Sequence, residues 1–299
     1  WKTAGLGAWR SGAFDATLGL AYEARGAFYD GHGARIGVDN TQGEIQDSTS
    51  TSIFGRFGWQ IDDSLRLDLI ANRFELKGDG DYVIVAGDRT KNRPASSMRG
   101  SPEGRTAANR VETVSLALTD DDLWGGDLNA QLFYNRSRDT FGGDRSATFQ
   151  DVRLAPLGTL FDQSSNESEK LGARASYERE APFVPGLTGT LGLDTLRDET
   201  AQTLIATNRV WVPPTQFRSV APFVQANLAL FGDKVHLAGG ARYESVTLKV
   251  GDYTTLATYG SRAVGGGEPS FDATLVNGGI VVTPIEGLRF YASYAEGYT

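Results

Sequence analysis

Alternation with period two limits most what this chain can become. From Phe14 to Phe28 the even positions Phe14, Ala16, Leu18, Leu20, Tyr22, Ala24, Gly26 and Phe28 are apolar or small, while Asp15, Thr17, Glu23 and Arg25 fall on odd ones. Successive side chains of a β-strand point to opposite faces, so this stretch has one oily and one wet face. The pattern returns at Ile53, Gly55, Phe57, Trp59 and Ile61, at Leu128, Ala130, Leu132 and Tyr134, at Leu171, Ala173, Ala175 and Tyr177, and at Val235, Leu237, Gly239, Ala241 and Tyr243. Helical periodicity is absent. Twelve strands are predicted, at 2–9, 13–29, 51–61, 64–76, 110–119, 127–138, 168–179, 187–198, 218–231, 234–249, 272–283 and 288–298.

The connections carry as much information as the strands. Tight ones at 10–12, 62–63, 120–126, 180–186, 232–233 and 284–287 alternate with long polar ones at 30–50, 77–109, 139–167, 199–217 and 250–271. Loops beyond about 12–15 residues are uncommon in compact domains, and a soluble sandwich has no reason to gather them at one end. A transmembrane barrel does so by construction, with short periplasmic turns and long external loops. The fold class expected is therefore all-β, an antiparallel transmembrane β-barrel. Alternation does not say which face points outward, and a secreted all-β binding module remains an alternative. The aromatics favour the barrel: Trp9, Trp59 and Tyr177 sit near short-turn ends and Tyr22, Phe28, Tyr134, Tyr243 and Tyr294 near long-loop ends, as two interfacial girdles would. Strand 64–76 breaks the pattern, because Arg73 follows Leu65, Leu67, Leu69 and Ala71 on one face. Either a bulge near Ile70 or an Arg73 side chain snorkelling to the interface accounts for it.

Composition excludes several functions. With no Cys and two His among 299 residues, cysteine zinc sites, disulfides and thiol nucleophiles are out. His32 lies in a Gly-rich loop and His236 near the opposite end, and no Gly-x-Ser-x-Gly or His-Glu-x-x-His pattern occurs, so no enzyme is expected. A net charge of -8 argues against a nucleic-acid partner. No stretch approaches the roughly 20 apolar residues of a membrane helix. The chain opens at Trp1 without an export signal and closes straight after a regular strand, so an excised portion of a longer barrel is expected.

Two hairpins are more specific. Ala221-Pro222-Phe223 leads through Gly232-Asp233 to Gly240-Ala241-Arg242-Tyr243-Glu244, and Thr283-Pro284 through Gly287 to Tyr291, Tyr294, Gly297 and Tyr298. In this order they resemble consecutive barrel hairpins of TonB-dependent siderophore receptors; Asp79 to Asp88 resembles an early loop of that family more weakly. The resemblance implies the middle part of a barrel of about 22 strands, with a plug domain and closing strands outside residues 1–299. It implies import of a ferric siderophore, energised by a TonB complex acting through the plug. Iron would be cargo, with no resident cofactor. Outer-membrane lipid and lipopolysaccharide would surround a monomer in the bacterial outer membrane. A passive or substrate-specific porin is the second alternative.

Ligand-binding candidates come from the long connections. Arg93, Arg99 and Arg105, with Arg89 and Lys91, make a basic stretch whose guanidinium donors suit an anionic chelate. Tyr82, Phe141, Trp211 and Tyr253 supply flat apolar walls for it to pack on. Arg25, Arg174, Arg242 and Glu244 read as a charged wall ladder facing the lumen or the plug.

Overall fold

The structure, a computed structural model, describes residues 1–39 and 46–297. Sixteen strands follow one another: β1 (Lys2–Ser11), β2 (Phe14–Arg25), β3 (Ser48–Gln60), β4 (Leu65–Gly78), β5 (Tyr82–Val85), β6 (Ser96–Arg99), β7 (Ala108–Asp120), β8 (Asp127–Thr140), β9 (Ser164–Glu180), β10 (Leu187–Leu204), β11 (Val210–Leu230), β12 (Val235–Val250), β13 (Tyr253–Thr254), β14 (Ala263–Val264), β15 (Ser270–Ile285) and β16 (Leu288–Ala295). Twelve of them pair in chain order into a single antiparallel sheet edged by β1 and β16. The other four form two small hairpins, β5 with β6 and β13 with β14, inside the long connections. Among the described residues no helix is long and apolar enough to cross a membrane.

The apolar side chains of the wall are not buried. Leu18 is 55% exposed, Leu132 57%, Leu171 57% and Leu191 62%, and they share one face of the sheet with Phe57, Trp59, Leu116, Val220 and Val224. An exposed apolar surface this continuous needs a nonaqueous neighbour, which a soluble module lacks. The buried apolar residues lie mainly at the loop end: Val38, Ala107, Phe149, Leu204 and Leu256. The opposite face of the wall is polar. There Arg66 pairs with Asp15 at 2.8 Å and with Asp68, and Arg242 with Asp194 at 2.6 Å and Glu244 at 2.8 Å. That is the distribution of a barrel with a lipid-facing skin and a wet lumen.

Register shows how the band is tilted. One row runs through Gly55, Ala71, Val114, Tyr134, Leu171, Arg197, Arg218 and Thr247 across eight neighbouring strands. The loop-side limit of the apolar band lies at Ile53 on β3, two residues to the loop side of this row, and at Tyr243 on β12, four residues to its turn side. The band thus steps down by six residues over seven strand-to-strand steps. Strands inclined to a barrel axis require such a stagger.

Several expectations need correction. All twelve wall strands are present, but β9, β10 and β11 extend beyond the expected 168–179, 187–198 and 218–231 toward the loops. Pairing there continues as far as Leu204 with Ser164. The long connection expected at 199–217 shrinks to residues 205–209. The β9 extension is polar on both faces, and that of β11 sets Val210, Trp211, Val212 and Phe217 on both faces around two prolines, so neither keeps the period that marked the rest. β2 ends at Arg25 instead of 29. At Arg73 the β4 register is unbroken on both sides, so no bulge lies near Ile70. Arg73 stays on the outer face and pairs with Glu75 and Glu112. Tyr298, the last residue of the second hairpin motif, lies outside the described residues.

Candidate functional site

The long connections fold into two packed groups. In the first, residues 26–39 and 46–47 meet residues 79–107. Gln46, 3% exposed, accepts from Phe28 N at 3.0 Å and donates to Gly37 O at 2.9 Å. Asp47 accepts from the backbone N–H groups of Asp81 and Tyr82 at 2.9 and 3.2 Å, and Ser97 Oγ donates to Ile36 O at 3.0 Å. Burial holds the Asp47 carboxyl above its ordinary pKa. These bonds set the β5–β6 hairpin against the first loop. Tyr82 and Arg99 are register partners there, and the Arg99 guanidinium lies 5.8 Å from the Tyr82 ring centre. Arg35 comes from the other loop to lie over the same ring at 4.6 Å, with its Nε donating to Tyr29 OH at 3.4 Å. Two guanidinium groups around one tyrosine ring give a flat surface with cationic donors at the external end.

In the second group, Phe149, Leu204 and Leu256 make a dry cluster, and Trp211 packs edge-on against Phe149 at 5.7 Å. Asp162 is fully buried and accepts from Gln163 N, Ala206 N, Thr207 Oγ1 and Arg209. Arg209 also donates to Phe149 O at 2.7 Å, tying residues 205–209 to residues 141–163. Asp151 pairs with Arg153 at 2.6 Å, and this ion pair, with its hydrogen bonds, lowers the Asp151 pKa to about 2. Gln163 bridges the two groups: it donates to Arg105 O and Phe141 O and accepts from Arg105 N. An ion pair of Arg145 with Glu103 at 2.6 Å reinforces the bridge.

The seven candidates therefore separate. Tyr82 and Arg99 converge. Arg93 serves another turn, exchanging backbone hydrogen bonds with Asp88, and its side chain is exposed. Arg105 and Phe141 meet at Gln163 through their backbones. Trp211 stands on β11, not in a loop, as part of the dry cluster. Tyr253, half-buried, sits in the β13–β14 hairpin opposite Val264. Arg35, which completes the aromatic cluster, is a lone cation in a Gly-rich stretch that no spacing singles out. Gln46, Gln150 and Gln163, which hold the loops, carry neither charge nor period to reveal them.

Comparison with known proteins places this architecture. Residues 58–299 match the family model described as TonB dependent receptor-like, beta-barrel. The rhizobactin receptor of Rhizobium meliloti (strain 1021) is 26% identical over 99% of this chain and 43% of its own length. The ferric aerobactin receptor of Klebsiella pneumoniae is 24% identical over 94% of the chain and 41% of its own length. The chain thus spans less than half the length of these relatives. The FrpB iron transporter from Neisseria meningitidis (F3-3 variant) superposes with a TM-score of 0.66 at 13% identity, over 98% of this chain and 44% of that one. These are transport receptors, not enzymes. The chain belongs to the TonB-dependent receptor β-barrel family, and its apolar face is a wall turned toward the lipid of the bacterial outer membrane.

Proposed function

We propose that the protein carrying this wall imports a ferric siderophore across the outer membrane, energised by a TonB complex. The observation that carries this reading is the convergence of Arg35, Tyr82 and Arg99 from two loops at the external end of the wall. It is supported by the two siderophore receptors to which the chain is similar. An anionic chelate would take charge-assisted hydrogen bonds from the guanidinium groups and lay a flat portion on the tyrosine ring. The iron would travel as cargo inside the chelate. In such a receptor the plug, through which TonB acts, would lie outside the length this chain spans. Arg93, Arg105, Phe141, Trp211 and Tyr253 would shape the mouth, with Gln163 and the Phe149 cluster fixing its outline.

The test is equilibrium binding of a panel of ferric siderophores to the full-length protein. For whichever chelate binds, Arg35→Gln with Arg99→Gln should weaken binding by about tenfold or more. The loss should shrink as salt is raised. Unchanged affinity at low salt would remove the pair from the site, and failure of every chelate to bind would sink the reading itself.

A further inference from the structure

The lumen side of the wall is unevenly charged. Every inward-facing position of β7 from Asn109 to Thr119, and of its neighbour β8 from Asn129 to Ser137, is uncharged, and most are amides or hydroxyls. Between Asp139 at the loop end and Asp127 at the turn end, β8 thus offers about 40 Å of neutral strand to the lumen. Ion clusters flank this strip on both sides. On one side Arg66 lies between Asp15 and Asp68, and Arg56 pairs with Asp68 at 2.8 Å. On the other Arg242 is held by Asp194 and Glu244. Register places the clusters in a common row, from Asp68 through Ala117, Gln131 and Arg174 to Asp194, so the strip passes between them.

A recess of about 480 Å³ opens into the strip, lined by Ala117, Thr119, Asn129, Gln131 and Ser176. Gln131 Nε2 donates to Ser115 Oγ at 2.7 Å, as Asn135 Nδ2 does to Thr113 Oγ1 at 2.8 Å, but Thr119, Asn129 and Ser176 make no side-chain hydrogen bond among the described residues. At the edge stands Arg174, the loosest arginine of the second cluster, 62% exposed and 3.8 Å from Asp194. Free amide and hydroxyl groups beside one accessible guanidinium suit an anionic, hydrogen-bonding solute. The strip leads there from the mouth: β7 starts three residues after Arg105 and β8 ends one before Phe141, the two backbones that Gln163 joins. Passage needs contacts strong enough to admit a solute and weak enough to release it. Neutral amides and hydroxyls meet that condition, because each exchanges a water contact for a solute contact at little net gain, whereas a row of free arginines would hold an anion fast. We propose that the recess is an inner station for the ferric chelate on its way in, reached along the inward faces of β7 and β8. This rests on the import of a chelate proposed above and adds the route it takes.

The experiment uses the full-length protein in whole cells and compares binding of a radiolabelled ferric chelate in de-energised cells with its uptake in energised ones. Residues 1–299 hold no cysteine. With any cysteine outside them replaced by serine, Asn129→Cys can be blocked by a bulky maleimide after assembly, and Asn277→Cys, inward-facing on β15, serves as the control. Blocking Asn129→Cys should cut uptake about tenfold or more and leave binding as it was, whereas blocking Asn277→Cys should change neither. Gln131→Arg, which sets a free cation in the strip, should slow uptake without weakening binding, and Gln131→Met, of similar size, should slow it less. Unchanged uptake after blocking Asn129→Cys, or an equal loss at Asn277→Cys, overturns the inner station. Failure of the maleimide to react with Asn129→Cys in resting and energised cells alike assigns the recess to the plug and overturns it too. Failure of every chelate to bind sinks the import reading itself, a result distinct from binding kept and uptake untouched by the block.

Discussion

Gly172 and Gly192 leave out a side chain where a neighbouring strand needs the room. Phe133 is the register partner of Gly172 and Phe223 that of Gly192, and each ring occupies the place a Cβ on its glycine would require. Both pairs lie on the polar, lumen-facing side, so the rings lie down along the wall there, and Arg174 approaches the Phe133 ring at 5.9 Å. Any side chain at these glycines must displace a ring. Gly192→Leu should therefore destabilise the full-length protein by about 1–3 kcal/mol, and pairing it with Phe223→Ala should recover part of the loss. Urea unfolding in detergent measures both; additive losses would show that ring and glycine do not share the space. Arg73 makes a complementary point: one misfit residue in a regular strand was accommodated by charge partners and not by a change of backbone.

Among the elements, what was legible depended on whether the two faces of a strand meet different surroundings. Inside the membrane they do, and the alternation at Leu128, Ala130, Leu132 and Tyr134 located β8 to within two residues at its far end. Above the membrane neither face meets lipid and the alternation lapses, so the Ser164 to Glu167 and Val210 to Phe217 portions of β9 and β11 looked like loop. The same blindness moved Trp211 out of its strand. Of the mouth, charge and aromatic character revealed Tyr82 and Arg99, whereas Arg35 and the glutamines needed the chain folded back on itself. The lipid-facing assignment has a direct check at element scale. Leu132→Lys places a charge within the apolar row of β8 and should cost about 2–4 kcal/mol. Assembly into the outer membrane, followed by heat-modifiable gel migration, should fall accordingly; normal assembly would place Leu132 away from lipid.

Across the whole molecule, the external cap depends on charges that acid removes. Asp151 has its pKa lowered to about 2 by Arg153, so the stability it contributes is fully present above its unfolded value of about 4 and is lost as pH falls from there through about 2. Trp211 sits in that cap against Phe149, so the fluorescence difference between wild type and Trp211→Phe should change over this acid range. In an Asp151→Asn background that step should disappear; a step that persists would assign it to another group. The wall, meanwhile, owes its cohesion to a different medium. Its apolar side chains have given up nothing by remaining exposed, because hydrocarbon surrounds them, whereas the cluster of Phe149, Leu204, Leu256 and Trp211 is dry only because water expels it. One chain is thus assembled by two solvents. A change of detergent acts first on the strands and a change of osmolyte first on the mouth, so the receiving end can be loosened or tightened while its foundation in the bilayer stays as it is.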